Sequence, residues 1–343
     1  FRRPKSVGGR YLAATIDLPP RGWYVSATAI FRLPGRISQS KRFGFLLRRR
    51  APQGHAASAI SHRKHTMSRY EKYSEVAQHY DRTRVPIGAE ILIGALALVG
   101  QSRSESRLLD AGCGTGAYTE LALPYVDHID AMDINPGMLA VARGKLADAA
   151  SETRVTFHQG SVLDMPFEAA CFDVVTFHQV LHHLESGQDG SFDGHRIALV
   201  EARRVLRPGG FLIVNCTSHD QLRHGYWYMH LIPTALRSLY DRCIPTEKLM
   251  AMLSEVGFTF EGRFVPLDGA LQGAAYFEAE GPLEPTWRRA ESSWTLAPEE
   301  EIAAAEAKLR ELRENDGLDA YLAEHDANRH RVGQTTFVLA RKA

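Results

Sequence analysis

The fold of this chain depends on residues 108–118, which read Leu108-Leu109-Asp110-Ala111-Gly112-Cys113-Gly114-Thr115-Gly116-Ala117-Tyr118. An apolar run that ends in an acid and three alternating glycines predicts a strand, a tight turn and the start of a helix. Glycine adopts backbone angles closed to other residues, and its missing Cβ lets a ligand lie directly against the main chain. We therefore interpret the turn as a binding surface for a cofactor. Because Gly112, Gly114 and Ala117 also match the dinucleotide fingerprint G-x-G-x-x-G/A, this stretch alone leaves the kind of cofactor open.

The composition is that of an ordinary globular protein. Of 343 residues, 44% are hydrophobic and 24% are charged, so the chain can bury one large core or two modest ones. No run approaches the roughly 18 consecutive apolar residues that a membrane span requires. The cysteines form neither a C-x-x-C pair nor a zinc-type group with histidines: Cys113, Cys171, Cys216 and Cys243. We therefore predict reduced, unpaired cysteines in an intracellular protein, and no metal site.

The net charge of +1 conceals two regions of opposite charge. Residues 1–66 hold 14 basic residues and one acid, whereas residues 67–343 hold 27 basic and 39 acidic residues. Three interpretations of the basic region remain open: an organelle transit peptide, a segment upstream of a true start at Met67, and a nucleic-acid-binding arm. We predict that it lies outside the catalytic fold. The expected location is cytoplasmic, or plastid or mitochondrion if the region is a transit peptide.

Residues 67–343 alternate between strand and helix patterns, which is typical of an α/β fold. Apolar and aromatic positions recur at helical spacing from Ser68 to Tyr80, and residues 68–99 are predicted to form lid helices. The core is predicted over residues 106–265 and 335–343, with an insertion over residues 266–334 between its parts. After the glycine turn, strands are predicted over residues 128–132, 155–159, 171–177, 211–215, 258–265 and 335–340.

Asp133 directly follows the second of these strands. In an open α/β sheet the end of that strand faces the same crevice as the glycine turn, and a carboxylate there can accept hydrogen bonds from both hydroxyls of a ribose. Asp133 also stands shortly before Pro136, where an acid can cap the following helix. The two roles are compatible.

Four stretches, taken together, carry a family resemblance. They are LLDAGCGTG at 108–116, IDAMDINPGML at 129–139, QGSVLDMPF at 159–167, and FDVVTFHQVLHHL through RVLRPGG at 172–210. In this order they resemble the class I S-adenosylmethionine-dependent methyltransferases, especially the small-molecule group called methyltransferase type 11. A nicotinamide enzyme does not need the later motifs, so the dinucleotide alternative is set aside.

The resemblance covers roughly residues 70–265 and the last strand, and it implies an architecture. This is an α/β, Rossmann-like sheet of seven mostly parallel strands in the order 3-2-1-4-5-7-6, with strand 7 antiparallel. Helices cover both faces, and a helical insertion precedes strand 7.

The resemblance also implies S-adenosyl-L-methionine as the cofactor. Asp110 and the backbone of residues 112–116 would hold its methionine moiety, whose ammonium suits a carboxylate. Asp133 would bind the ribose, and Ile134 would lie against the adenine. The full set of candidate cofactor residues is Asp110, Gly112, Cys113, Gly114, Gly116, Asp133, Ile134, Ser161, Val162, Asp164 and His178.

The sequence departs from the family at Ser161, where an acid commonly accepts a hydrogen bond from the adenine amino group. Ser161 can accept through its hydroxyl, and Val162 can offer its backbone. Asp164 stands one step outside the usual contact. His178 ends the fourth strand and would lie near the methionine end of the cofactor.

Contacts with the methyl acceptor are expected from three segments. His182 and His183 are candidates for proton transfer, although the sequence LHH also fits the first turn of a helix. In the lid, Tyr80 is a third catalytic candidate and Arg84 is a candidate acceptor contact. Further candidates follow the fifth strand: His219, Arg223, Tyr226, Trp227 and Tyr228. The aromatic residues among them either surround a cation or form the core of an inserted helix.

We predict methylation of a small molecule at N, O or S, with a carboxylated thioether such as 4-methylthio-2-hydroxybutyrate as one specific hypothesis. One alternative is a tRNA wobble-uridine-type methyltransferase, because residues 79–84 resemble a segment of those enzymes. The other is a non-catalytic, cofactor-binding partner subunit. The acidic charge of residues 67–343 disfavours polyanionic substrates. We therefore predict no nucleic-acid or membrane partner, and a monomer or homodimer.

Overall fold

The computed structural model describes residues 84–99, 106–184 and 190–343. The basic region over residues 1–66, the helix predicted from Ser68 to Tyr80, and the catalytic candidate Tyr80 lie outside these residues. Within them, no helix is both long and apolar enough to cross a membrane.

Seven strands of the described chain form one sheet in the order β3-β2-β1-β4-β5-β7-β6, which confirms the expected order. Their bounds are β1 Arg107–Ala111, β2 His128–Asp133, β3 Val155–Gln159, β4 Phe172–His178, β5 Leu206–Cys216, β6 Phe258–Phe264 and β7 Thr336–Lys342. β1 to β5 pair in parallel, and β7 is antiparallel to both of its neighbours. The order reverses between β1 and β4, which is where an open α/β sheet leaves a crevice for a ligand.

Helices pack on both faces of this sheet. In the described chain they are α1 Ala89–Ala97, α2 Ala117–Ala122, α3 Pro136–Lys145, α4 Ala147–Ser151, α5 Asp193–Val205, α6 His219–His224, α7 Pro233–Arg242, α8 Thr246–Val256, α9 Pro285–Ala290, α10 Glu299–Glu314, α11 Leu318–Asp326 and α12 Arg329–Val332. Side chains alternate between the two faces of a strand. Accordingly, Leu109 and Val175 share a buried cluster with α5 and α8, whereas Leu108 and Val174 share one with α1 and α3.

Two differences from the predicted element boundaries have a cause that is visible in the backbone. The part of the predicted lid helices, residues 68–99, that the structure describes contains α1, which begins only at Ala89 because Gly88 precedes it in the left-handed conformation with φ of 75°. β5 begins at Leu206 instead of Phe211, since Leu206 already pairs with Phe172. The register then jumps and resumes at Phe211 opposite Val174. Residues 207–210, which are the RPGG of the fourth motif stretch, therefore loop out within the strand.

The insertion and the segment after β5 share a third core, which is aromatic. Trp227, Tyr228 and Tyr276 are all 0% exposed. The indole N–H of Trp227 donates to the carbonyl of Tyr276 at 2.8 Å, and the Tyr276 hydroxyl donates to Asp326 at 2.6 Å. The aromatic density of both segments thus serves packing between the insertion and the residues that follow β5.

The glycine turn between β1 and α2 is bonded to the end of β2. The backbone N–H groups of Gly112 and Cys113 both donate to the carbonyl of Met132, at 2.7 and 2.9 Å. Gly112 has φ of 86°, and a Cβ at this position would lie 2.4 Å from a methyl of Val180. Glycine is therefore required by both the backbone angle and the space.

We expect Gly112→Ala to lower the free energy of unfolding by about 3 kcal/mol, because left-handed strain and overpacking each cost about 1–3 kcal/mol. Gly144→Ala in α3 is the control, since no atom lies within 4 Å of its added Cβ. That change should be neutral or stabilise by up to about 1 kcal/mol, because alanine favours helix. Urea unfolding of both variants measures the difference, and equal effects would contradict this account of the turn.

Candidate active site

A cavity of about 230 Å³, the first cavity, lies where β1 to β4 end. Eight of the eleven residues predicted to bind the cofactor line it: Asp110, Gly112, Cys113, Gly114, Asp133, Ile134, Val162 and His178. Arg84 and His183, which were predicted to contact the acceptor, line it as well. The topology therefore gathers residues of four separate motifs around one space.

The carboxylate of Asp133 accepts hydrogen bonds from two backbone N–H groups. Its Oδ2 accepts from the N–H of Gly114 at 2.9 Å, and its Oδ1 accepts from the N–H of Asn135 at 2.8 Å. Burial raises the pKa of Asp133, although these hydrogen bonds oppose the shift. The expectation that Asp133 caps the next helix is wrong, because Asn135 caps α3 and accepts from Gly137 and Met138. Asn135 directly precedes the first turn of α3, whereas Asp133 is still in β2.

Asp110 is a buried carboxyl with two hydroxyl donors. Thr119 donates to it at 2.6 Å and Thr176 at 3.1 Å. Burial raises the pKa of Asp110 to about 6, and the two hydroxyls only partly offset that rise. A cation beside this carboxyl would favour its ionised form.

His178 presents a neutral ring to the first cavity. Its imidazole stacks on Tyr118 with 3.8 Å between ring centroids and 4° between planes. Burial lowers the pKa of His178 to about 3. Its Nδ1 is buried and has no hydrogen-bond partner among the described residues, so this wall retains an unused polar atom.

A second, smaller cavity of about 80 Å³ adjoins the first. The two have four lining residues in common: Arg84, Gln179, His183 and Leu271. The second cavity is otherwise lined by His182, Thr217, Leu222, Tyr226, Met229, Leu239, Cys243, Glu291, Ser292, Ser293 and Leu296. The two cavities are therefore adjacent, and molecules bound in them would be neighbours.

His182 and His183 have weakly basic rings. Their centroids are 4.0 Å apart in a short 3-10 turn after β4. Burial, with a smaller effect of the nearby Arg242, lowers the pKa of His183 to about 4. Burial, with a smaller effect of His183, holds the pKa of His182 well below its usual value. Both imidazoles are neutral at pH 7, so each can accept a hydrogen bond or a proton.

Gln179 links the two cavities through an unusual backbone conformation. Its φ of 56° lies in the left-handed region, which is uncommon outside glycine and clusters at functional sites. The backbone N–H donates to the carbonyl of Asn215 at 2.8 Å, and the side-chain amide donates to the hydroxyl of Thr335 at 2.7 Å. Hydrogen bonds to β5 and to the residue preceding β7 thus hold this shared wall in place.

Comparison with known proteins agrees with this geometry. Residues 109–214 match the family described as a methyltransferase domain. The chain carries a class I methyltransferase domain. A demethylmenaquinone methyltransferase of Tropheryma whipplei is 32% identical over 167 residues, which cover 47% of this chain and 64% of that relative. An uncharacterised methyltransferase of Bacillus subtilis is also 32% identical, over 43% of this chain and 55% of the relative.

The chain thus spans less than two thirds of the length of these relatives. A solved structure described as a methyltransferase from an antibiotic biosynthesis pathway of Anabaena variabilis has a TM-score of 0.57. Its sequence identity is 19%, and the match covers 75% of this chain and 98% of that one. This likeness bears on the fold of the methyltransferase domain and on nothing further.

Three candidate cofactor residues of the methyltransferase domain do not line either cavity. Gly116 precedes α2 with φ of 82°, and a Cβ there would lie 3.1 Å from Leu146. The Ser161 hydroxyl accepts from the N–H of Leu163 at 3.2 Å, and Ser161 forms an isolated bridge with the exposed Asp164. All three shape the turns around the cavity.

The candidates after β5 are divided between cavity and core. Tyr226 lines the second cavity, whereas Trp227 and Tyr228 belong to the aromatic core and line neither cavity. His219 bonds through Nε2 to the carbonyl of Cys243 at 2.7 Å, and Arg223 is exposed on α6. Of the two interpretations left open for these aromatics, the packed core is the one that Trp227 and Tyr228 fit.

Glu291 is the main residue of the site that sequence reasoning missed. Its carboxylate accepts two hydrogen bonds from the guanidinium of Arg84, at 2.6 and 3.0 Å. The two residues are 207 positions apart, and Glu291 belongs to no motif. Its sequence signal is limited to an acid within an aromatic segment, which does not distinguish it from a surface residue.

Proposed function

We propose that this chain transfers a methyl group from S-adenosyl-L-methionine to a small molecule held in the second cavity. The observation that carries the proposal is the adjoining pair of cavities with Arg84, Gln179, His183 and Leu271 in common. Residues of all four motif stretches line the first cavity, whereas the second is lined largely by residues that follow Cys216, together with Arg84, Gln179, His182 and His183. This arrangement places an acceptor beside the cofactor, where the attacked atom can meet the methyl group directly.

The residues of the first cavity fit the cofactor. Asp133 would accept from the ribose hydroxyls and Ile134 would contact the adenine. Gly114 leaves open space, since no atom lies within 4 Å of a Cβ built on it, and Asp110 would attract the methionine ammonium. The unpartnered Nδ1 of His178 is one further polar atom available to a ligand. When bound, S-adenosylmethionine supplies an electrophilic methyl group on a sulfonium.

The residues of the chain contribute mainly alignment. Holding two reactants in line can lower a barrier by roughly 7–11 kcal/mol. A proton acceptor is needed only when the attacked atom carries hydrogen, and His182 and His183 are then the nearest neutral bases. Their lowered pKa values make them weak bases, so they suit only an acceptor whose proton becomes strongly acidic as the new bond forms. Tyr80 stays a prediction beyond the described residues.

The alternatives receive less support. A tRNA substrate needs cations to neutralise phosphates, and Arg84 is the only arginine or lysine among the described lining residues of both cavities. A carboxylated thioether would need Arg84 or Arg223, but the first is paired with Glu291 and the second is exposed away from both cavities. The glycine turn with Asp110 and Asp133 favours an active domain over a non-catalytic subunit.

To test this proposal, the full chain is incubated with methyl-labelled S-adenosylmethionine and a mixture of a small-molecule extract and bulk tRNA. The label is then measured in each fraction. We expect label in the small-molecule fraction together with S-adenosylhomocysteine. Label in the tRNA would contradict the proposed acceptor class. Absence of cofactor binding would contradict the proposal as a whole.

Once an acceptor is found, His182→Ala and His183→Ala separate the possible acceptor atoms. For an N–H or O–H acceptor we expect the double variant to lose about 100-fold in kcat, the usual scale of general base catalysis. For a thioether acceptor the loss should stay within about threefold, because a sulfonium product releases no proton. A 100-fold loss with a thioether would contradict a proton-transfer role.

We also expect cofactor binding to release a proton from Asp110. At pH 6 a carboxyl with a pKa of about 6 is half protonated, and a neighbouring ammonium lowers that pKa. Calorimetry at pH 6 in buffers of different ionisation enthalpy should therefore show release of up to about half a proton per cofactor bound. Asp110→Asn should abolish the release, and equal release in both proteins would contradict the assignment.

A further inference from the structure

A buried ion pair, Arg84 and Glu291, lies where the two cavities adjoin. The side chains of Arg84 and Glu291 are only 19% and 7% exposed, and two parallel hydrogen bonds join them. The hydroxyl of Ser293 donates to the same carboxylate at 3.0 Å. Both charged residues line the second cavity, and Arg84 also lines the first.

The pair carries no net charge at neutral pH. Burial alone would raise the pKa of Glu291, but the charge and hydrogen bonds of Arg84, together with those of Ser293, outweigh burial and lower it. The carboxylate is therefore ionised and cancels the guanidinium charge. An anionic ligand that approached Arg84 would bring a third charge next to the ion pair, and Glu291 would repel it.

The rest of the second cavity is uncharged as well. Among its described lining residues, the remaining titratable groups are neutral at pH 7, since His182 and His183 have lowered pKa values and the pKa values of Tyr226 and Cys243 are raised by burial. The Tyr226 hydroxyl already donates to the carbonyl of Gln334 at 3.3 Å. Gln179, Thr217, Ser292 and Ser293 add uncharged polar groups, and the remaining lining side chains are apolar: Leu222, Met229, Leu239, Leu271 and Leu296.

We propose that Glu291 is a specificity-determining residue, which cancels the charge of Arg84 and so makes the second cavity a site for uncharged, largely apolar acceptors. This inference rests on the proposed function, because it treats the second cavity as the acceptor site. Burial of a carboxylate or phosphate beside Glu291 would leave an uncompensated negative charge, which is costly in a partly dry site. Specificity here comes from the repulsive group as well as from the apolar contacts.

The test compares two probes of similar shape, 4-methylphenol and 4-methylbenzoate, at pH 7, where the first is neutral and the second is an anion. Each is titrated calorimetrically into the full chain saturated with S-adenosylhomocysteine. We expect the wild type to bind the phenol at least tenfold more tightly than the benzoate. In Glu291→Gln, Arg84 keeps its charge without the opposing carboxylate, so the benzoate should gain at least tenfold in affinity.

Two further variants control for loss of structure. Glu201→Gln also breaks an arginine–glutamate fork, since Glu201 accepts from Arg204 at 2.8 Å through both oxygens, but it lines neither cavity and should keep the wild-type preference. If Glu291→Gln does not fold, the double variant Arg84→Gln, Glu291→Gln removes both charges and should also keep the preference for the phenol.

Three results would overturn the inference. The wild type could bind the benzoate as tightly as the phenol, Glu291→Gln could leave the affinity for the benzoate unchanged, or the wild type could bind neither probe. Failure of the chain to bind S-adenosylhomocysteine in the first step would instead overturn the proposed function. The two failures are thus distinguished within one experiment.

Discussion

Three backbone N–H groups of the glycine turn donate to the end of β2, and the position of the candidate site depends on these hydrogen bonds. Gly112 and Cys113 donate to the carbonyl of Met132, and Gly114 donates to the carboxylate of Asp133. The turn can approach β2 this closely because Gly112 adopts a positive φ against Val180. Asp110 and Asp133 are consequently held near the carboxyl ends of β1 and β2, next to the point where the order of the strands reverses.

Charge is distributed differently in the two cavities. The first contains two carboxyl groups whose pKa values are raised by burial, which suits a cationic ligand that lowers them again. The second contains a charge-cancelled ion pair and neutral histidines. A cationic methyl donor and an uncharged acceptor are the combination that this distribution favours, and Gln179 and Leu271 would border both molecules.

The strands and the first cavity could be predicted from sequence because their signals are local, whereas the order of the strands came from the family resemblance. The glycines near Asp110 and the acid at Asp133 stand at fixed distances from strand ends, so short motifs predicted their positions. The second cavity depends on contacts between distant segments, and no local pattern indicates that Glu291 meets Arg84. Aromatic density after β5 was ambiguous in the same way, since Trp227 fills a core that forms only when the insertion folds against it.

The central claim is that the first cavity binds S-adenosylmethionine through Asp133. Isothermal calorimetry of the wild type, Asp133→Ala and the exposed control Asp127→Ala tests it most directly. Loss of hydrogen bonds to a charged acceptor costs about 1.5–3 kcal/mol, so Asp133→Ala should weaken binding by roughly 10- to 100-fold. Asp127→Ala should bind as the wild type does. Equal affinity in all three proteins, or no binding by the wild type, would contradict the account.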